Sequence, residues 1–389
     1  MSSGAPLLPP PLRGLRVIEL AGIGPAPFCA MMLADHGAEV IRIDRPGGAD
    51  PLDQDQGRDV LLRSRRSITL DLKRPESVEI VRRLVETADA LIEGFRPGVA
   101  ERLGLGPEDL MPRNPALVYA RMTGWGQDGP LADKAGHDIN YLALSGGLAA
   151  IGPEGQPPVP PLNLIADFGG GGMMLAFALV SAMLAARQSG QGRVIDCAMA
   201  EGAGVLMSGM WSLRHNGLWE GARGRNLLDG GAPFYGTYAC ADGAFVAIGA
   251  IETKFFANLL DAVGLAEDPL FADQYDQSRW PVMKARLAGL FAQQPRAFWT
   301  TLLKDRDCCY SEVLTMDEAA AHAHNRARGS YLEADGFVQP HPAPRFVGGE
   351  TVAPVMWRSD SDRAAILREL GIDDPDEASG MPPRLAQSA

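Results

Sequence analysis

The sequence predicts an α/β protein: a large domain on a parallel, Rossmann-like sheet, with a smaller α+β domain after it. Three observations carry this. Short apolar runs alternate with helical patterns through the first half of the chain, and strands joined by crossover helices pair in parallel. Around 221–237 the chain turns Gly-rich and irregular, and a hairpin pattern follows. The 389 residues are 46% hydrophobic and 22% charged, a globular balance with enough chain for two domains.

In order, "LRVIEL" (15–20) is a short apolar strand, and "PAPFCAMMLADHG" (25–37) is a buried helix with proline in its first turn and Gly37 at its end. "AEVIRI" (38–43) is the next strand. "PESVEIVRRLVETA" (75–88) places Val78, Val81, Leu84 and Val85 on one helical stripe. "DALIEG" (89–94), "ALVYARM" (116–122) and "GRVIDCAM" (192–199) are further strands. "YACADGAFVAIGA" (238–250) is a hairpin about Ala-Asp-Gly, and helical segments run from 252 to 330. The expected organisation is a large domain over 1–200, a linker over 201–236, a small domain over 237–330, and a segment over 331–389 that returns to the large domain.

The net charge of −12 argues against general binding to nucleic acid or anionic membranes. It is unevenly spread: from Arg42 to Arg102, twelve Lys plus Arg balance twelve Asp plus Glu, so the rest of the chain carries the whole excess. A locally basic region on an acidic chain suits a small polyanion, although a salt-bridged surface reads the same way. The five cysteines are scattered without a C-x-x-C, which indicates neither a disulfide framework nor a zinc site and fits a reducing cytosol. "MSSGAPLLPPPLRG" lacks the pattern of a signal peptide and "RLAQSA" is no peroxisomal or ER address, so a cytoplasmic location is expected. The uncharged stretch 168–186 has an apolar part short for a membrane span and is expected to be a core helix.

"AGIGPAP" (21–27) invites a dinucleotide reading between strand and helix, but a Pro-Ala-Pro-Phe run replaces the third glycine, and the reading fails. "RIDRP" (42–46), "RSRRSITLDLK" (63–73) and "EGFRPGVAERLG" (93–104) each follow or flank a strand, and in open α/β sheets ligands collect at strand carboxyl ends. Together they favour a phosphate-rich ligand, since arginine forks suit phosphate oxygens. In "LIADFGGGGMML" (164–175), Asp167 is either a helix cap or a functional carboxylate. Glycine costs roughly 1 kcal/mol relative to alanine in a helix, so the four that follow suggest close approach of a group whose developing oxyanion the free amides would stabilise. His137, in "AGHDINY" (135–141), is a structural histidine or a proton carrier near neutral pH. An orienting partner for it is Asp138 next door, or Glu252 in "GAIETKFF".

"ELAGIGPAP", "EVIRIDRP", "LIEGFRPGVAERLGLGPEDL", "ARMTGWGQDGP", "AGHDINYLALSG", "PPLNLIADFGGGGM" and "LDGGAPFYGTYACADG" together resemble the α-methylacyl-CoA racemase group of the family III CoA-transferase superfamily, CaiB/BaiF type. The match runs from about residue 12 to 346. The resemblance implies the family III CoA-transferase fold as an interlocked homodimer, each subunit a ring threaded by the other. It implies a racemase of fatty acid metabolism acting at C2 of 2-methyl-branched acyl-CoA thioesters, with His137 and Asp167 handling the proton on opposite faces. It further implies that Glu252 of the partner subunit orients His137. CoA, as part of the substrate, falls to Arg45, Leu70, Asp71, Leu72, Lys73, Gly94, Phe95, Arg96, Arg102, Gly136, Asp138, Ile139, Asn140 and Tyr141. No metal and no further cofactor is implied, nor any nucleic-acid or membrane partner.

The physics of inversion agrees. Two groups of suitable pKa facing each other across C2 can remove the α-proton and return one to the opposite face. One stretch departs from the family pattern: in "RDCCYSEVL" (306–314), Tyr310 and Glu312 intrude into the usual Cys-Val-Thr-Pro-Val-Leu run, so the acyl pocket or subunit packing there is open to difference. Met173, Met199, Met207 and Met210 are either core or an adaptable surface for the acyl chain. Two other readings compete. A CoA-transferase would use Asp167 as nucleophile and has no need of His137; a non-catalytic acyl-CoA carrier would need neither.

Overall fold

The computed structural model describes residues 6–47 and 59–374, so the tail "RLAQSA" and the first five residues lie outside the described residues. The chain divides into two compact units. The first holds the chain up to Tyr141, then Leu162–Val205, then the chain from Gly329 onward; the second holds Leu142–Pro161 and Leu206–Arg328.

In the first unit, β1 (Arg16–Leu20) leads into α1 (Pro25–Asp35) and β2 (Glu39–Asp44), followed by β3 (Arg65–Thr69), α2 (Pro75–Val85) and β4 (Ala90–Glu93). Short helices α3 (Val99–Arg102) and α4 (Pro107–Leu110) precede β5 (Val118–Thr123), and this part of the unit ends within α5 (Asp138–Leu144). A π-helix (Leu164–Met173) then runs into α6 (Met174–Ser189), β6 (Val194–Ala198) and α7 (Met199–Leu206). The six strands form one sheet, all parallel, in the order β3-β2-β1-β4-β5-β6. Ile41, Ile18, Leu91 and Tyr119 stand in register across β2, β1, β4 and β5 and are fully buried, a row that fixes the alignment of the strands. The strand order reverses between β1 and β4, and the crevice at their carboxyl ends is where such sheets receive ligands.

β3 is the strand that periodicity does not announce, because its "RRSIT" carries two arginines. Their partners explain it. Arg65 donates to Glu19 at 3.1 Å, Arg42 donates to Glu19 at 2.6 Å and to Asp44 at 2.8 Å, and Ser67 donates to Asp44 at 2.6 Å, all buried across β3, β2 and β1. Arg63 is likewise paired with Asp35 through two hydrogen bonds. Each buried charge here has an opposite partner, which burial demands.

The second unit opens with α8 (Ser208–His215) and contains β7 (Tyr235–Ala239), β8 (Phe245–Gly249), α9 (Thr253–Ala262), α10 (Trp280–Phe291), α11 (Arg296–Leu303), β9 (Tyr310–Val313), α12 (Met316–Ala321) and α13 (Ala323–Arg328). Its antiparallel sheet has the order β7-β8-β9, and its core gathers Phe234, Trp280, Phe291 and Trp299. The expected hairpin is present but begins at Tyr235. The family-divergent stretch forms β9, where the Tyr310 hydroxyl meets Thr300 at 2.8 Å and Glu312 stands 3.8 Å from Arg296. The unit also takes in chain expected elsewhere: Arg225 pairs with Glu154 at 2.5 Å, which ties the proline-rich loop to the Gly-rich stretch.

The chain then returns to the first unit through β10 (Tyr331–Ala334), β11 (Phe337–Pro340) and α14 (Arg363–Leu370), which buries Ile366 and Leu367 in the same core as α2.

Candidate active site

Three of the four basic residues expected to hold CoA follow strands of the first unit at their carboxyl ends. Arg45 follows β2, Leu70 to Lys73 follow β3, and Gly94 to Arg96 follow β4; Arg102 ends α3 just beyond. Arg45, Lys73, Arg96 and Arg102 are exposed, and among the described residues none of the four side chains has an ion pair. Arg42, Arg63 and Arg65, counted in the same basic excess, are occupied in the interior and are not available to a ligand. Leu70 is buried, with Leu72 and Phe95 packed against the same core, while Asp71 closes its turn by accepting from the Lys73 amide at 3.0 Å. The turn after β4 is held from below by Glu93, whose carboxylate accepts from the Phe95 amide at 2.7 Å. Burial pushes Glu93 up to about 7.

The stretch Gly136–Tyr141 enters α5. Asn140 accepts from the His137 amide at 3.0 Å, and the Tyr141 hydroxyl donates to the Gly136 carbonyl while its ring meets Trp125 edge-on at 4.7 Å. These contacts fix the backbone and leave the His137 side chain exposed, along with Ile139 and Asn140. Asp138 is turned the other way. Its buried carboxylate accepts from the amides of Ala166 and Asp167, both at 2.7 Å. Asp138 is therefore not placed to orient the neighbouring imidazole: adjacent side chains diverge here, and this one is engaged inside.

That contact brings His137 and Asp167 together, since the residue after His137 holds the backbone of Asp167. Asp167 stands half-buried in the first turn of the π-helix, with the Asn163 amide group 3.4 Å from its Oδ2. Gly24, at φ 68°, borders the same oxygen: an added Cβ there would lie 3.2 Å from Oδ2. Burial raises the Asp167 pKa, the Asn163 hydrogen bond lowers it, the Asp138 charge raises it, and a charged His137 lowers it. A carboxyl moved upward from its ordinary range is better matched to exchanging a proton with carbon near neutral pH.

Close packing accounts for three of the four glycines. An added Cβ on Gly170 would lie 2.5 Å from the Ala203 backbone nitrogen, on Gly171 2.9 Å from Pro25, and on Gly172 2.6 Å from the Phe28 ring. These three let the π-helix pack backbone-close against α1 and α7. Two amides at the helix start, those of Ala166 and Asp167, are already taken by Asp138, so they cannot serve an oxyanion.

Glu252 belongs to the second unit, where it caps the N-terminus of α9 by its backbone. Its side chain is exposed and makes no cap hydrogen bond. Of the methionines, Met199 is buried beside Gly171 and is core, whereas Met173 is 43% exposed. Sequence reasoning missed Gly24 and Asn163. The second has a signal, since it lies one helical turn before Asp167; the first has none, because only the fold brings the loop after β1 to the carboxylate. Among the described residues, no three His, Cys, Asp or Glu side chains cluster as a metal site would.

Residues 12–359 match the family model of CoA-transferase family III. The chain belongs to this family. As a family III protein it is 48% identical over 364 residues to the α-methylacyl-CoA racemase of Mus musculus, covering 92% of this chain and 93% of that one. It is 47% identical over 334 residues to the α-methylacyl-CoA racemase of Homo sapiens, covering 86% of each chain. Its fold is similar to the crystal structure of a CAIB/BAIF family protein from Brucella suis, with a TM-score of 0.79 at 27% identity, covering 92% of this chain and 99% of that chain.

Proposed function

We propose that this family III protein is an α-methylacyl-CoA racemase, interconverting the 2R and 2S forms of 2-methylacyl-CoA thioesters. The observation that carries the reading is the pairing of two unlike proton carriers, His137 and Asp167, through the carboxylate of Asp138, the residue after His137, which accepts from the Asp167 amide at 2.7 Å. One of them removes the C2 proton, leaving an enolate of the thioester; the other returns a proton to the opposite face. With the other enantiomer their roles exchange. CoA is held at the carboxyl ends of β2, β3 and β4 by Arg45, Lys73, Arg96 and Arg102 together with the adjoining backbone. It arrives as part of the substrate, and the chemistry calls for no other cofactor.

The protein works as a homodimer in this reading, with Glu252 of the partner subunit orienting His137. Two features support it: the Glu252 side chain is exposed, and α6 presents Phe177, Val180 and Leu184 to solvent along one stripe. A cytoplasmic setting fits the scattered free cysteines.

The alternative, a CoA-transferase in which the Asp167 carboxylate attacks the thioester carbonyl and expels CoA as thiolate, leaves His137 without a task. Incubation with (2R)-2-methylacyl-CoA in D2O separates the two. Deuterium at C2 together with epimerisation is expected; turnover that requires a carboxylic acid acceptor and leaves C2 unlabelled would overturn the racemase reading.

A further inference from the structure

The racemase reading needs His137 and Asp167 at a fixed separation, yet they lie thirty residues apart in the sequence, one exposed before α5 and one in the first turn of the π-helix. We propose that Asp138 is a positioning residue that sets this separation, its main chain carrying His137 and its carboxylate gripping the main chain of Asp167. The proposal rests on the racemase reading, and it assigns the Asp138 side chain to geometry rather than to CoA.

The grip is specific. One oxygen, Oδ2, accepts both the Ala166 and the Asp167 amides at 2.7 Å, the short distance of a charge-assisted hydrogen bond. The other, Oδ1, is buried and has no hydrogen-bond partner among the described residues. An unpartnered carboxylate oxygen in the interior is costly, so a residue chosen only to cap the helix would be replaceable by serine or asparagine at less expense. The π-helix winding suits the same purpose. Wide turns of this kind are rare and gather at functional sites, and here the first of them presents two adjacent amides to one oxygen.

The Asp138 carboxylate also bears on Asp167 as a like charge, one of three titratable groups about it. His137 lowers the Asp167 pKa when charged and Asp138 raises it; the Tyr141 phenol has its pKa raised by burial and by the Asp167 charge, with Arg96 opposing. Asn163 and Gly24 complete the surroundings without charge. Replacing Asp138 by asparagine keeps an acceptor oxygen and removes the charge; replacing it by alanine removes both.

The test uses the full-length enzyme, with racemisation and C2 deuterium exchange followed from each enantiomer against pH. Asp138→Ala is expected to lower kcat about 100-fold with KM for acyl-CoA within about threefold, since an ångström of misplacement costs that much. Asp138→Asn is expected to retain most of kcat. Its acid limb, in the direction where Asp167 is the base, should move to lower pH, because loss of the neighbouring charge lets Asp167 ionise more easily. The positioning role is overturned if Asp138→Asn leaves that limb in place, or if the loss in Asp138→Ala falls on KM, the mark of a CoA ligand. Thermal denaturation of both variants identifies a folding defect, and should Asp138→Ala not fold, the Asp138→Asn pH profile decides alone. If the wild-type enzyme exchanges no C2 proton, it is the racemase reading that has failed, a distinct outcome.

Discussion

Arg45 and Arg42 are three residues apart and have opposite fates. Arg42 lies under the sheet with Glu19 and Asp44, whereas Arg45 stands in solvent just past the end of β2. Composition places the basic excess in the right region, but it cannot separate arginines that balance buried acids from arginines left over for a ligand. Only the partners do that, and the partners are far apart in sequence. The consequence is measurable. Arg45→Ala and Arg102→Ala are each expected to raise KM for acyl-CoA several-fold at low ionic strength and to leave kcat nearly unchanged. The effect should shrink as salt is added, since exposed charges are screened over roughly 10 Å at 0.1 M. Unchanged KM in both variants would remove CoA from this edge of the sheet. At this same scale His137 and Asp167 stand out in the sequence through their surrounding motifs, while the inward turn of Asp138 depends on a contact between segments that no spacing rule connects.

The π-helix is the element whose sequence carries two demands at once. A run of glycines beside a carboxylate suggests an anion site, and Gly170, Gly171 and Gly172 also bring the backbone against α1 and α7. The closest approach is at Gly202 of α7, where an added Cβ would lie 1.8 Å from the Gly170 carbonyl oxygen. Helix propensity alone favours alanine there by roughly 1 kcal/mol. Gly202→Ala is nonetheless expected to destabilise the protein, by about 1–3 kcal/mol as overpacking does, and to lower activity through the displaced Asp167. Chemical denaturation checks the first and turnover the second; a more stable variant would mean the two helices do not meet backbone to backbone. Elements with clean periodicity, such as α1, α2, β1, β2 and β4, were legible within a few residues. β3 was not, because its inward side chains are arginine and serine rather than apolar.

At the scale of the whole molecule, α6 carries apolar side chains on two faces. One face buries Leu175, Leu179 and Met183, while Phe177 is 75% exposed and Leu184 61% exposed on another. The sequence reading of this stretch as a core helix holds for the first face only. An apolar stripe facing solvent marks a surface that meets a partner, and in the reading advanced here the partner is a second copy. The wild-type protein is expected at twice the chain mass by light scattering. Phe177→Glu with Leu184→Glu should shift it to the monomer and abolish racemisation if the site needs the partner subunit's Glu252. A double variant that stays dimeric and active would place the subunit interface elsewhere. The change of character near residue 221 lies inside the second unit, whose main stretch starts at Leu206, so most of the 201–236 segment expected as a linker belongs to that unit; the inclusion of Leu142–Pro161 had no sequence signal, since it rests on pairings such as Arg225 with Glu154.

The central claim is that His137 and Asp167 serve opposite faces of C2, and the isotope pattern of single variants tests it most directly. With each enantiomer of 2-methylacyl-CoA in D2O, His137→Ala should lose epimerisation and exchange the α-proton of one enantiomer only. Asp167→Asn should lose epimerisation and exchange only the other. General acid–base groups contribute roughly 10²–10⁴-fold, so the losses will be plain. If His137→Ala still racemises near the wild-type rate while Asp167→Asn is inactive, the two-base account is contradicted.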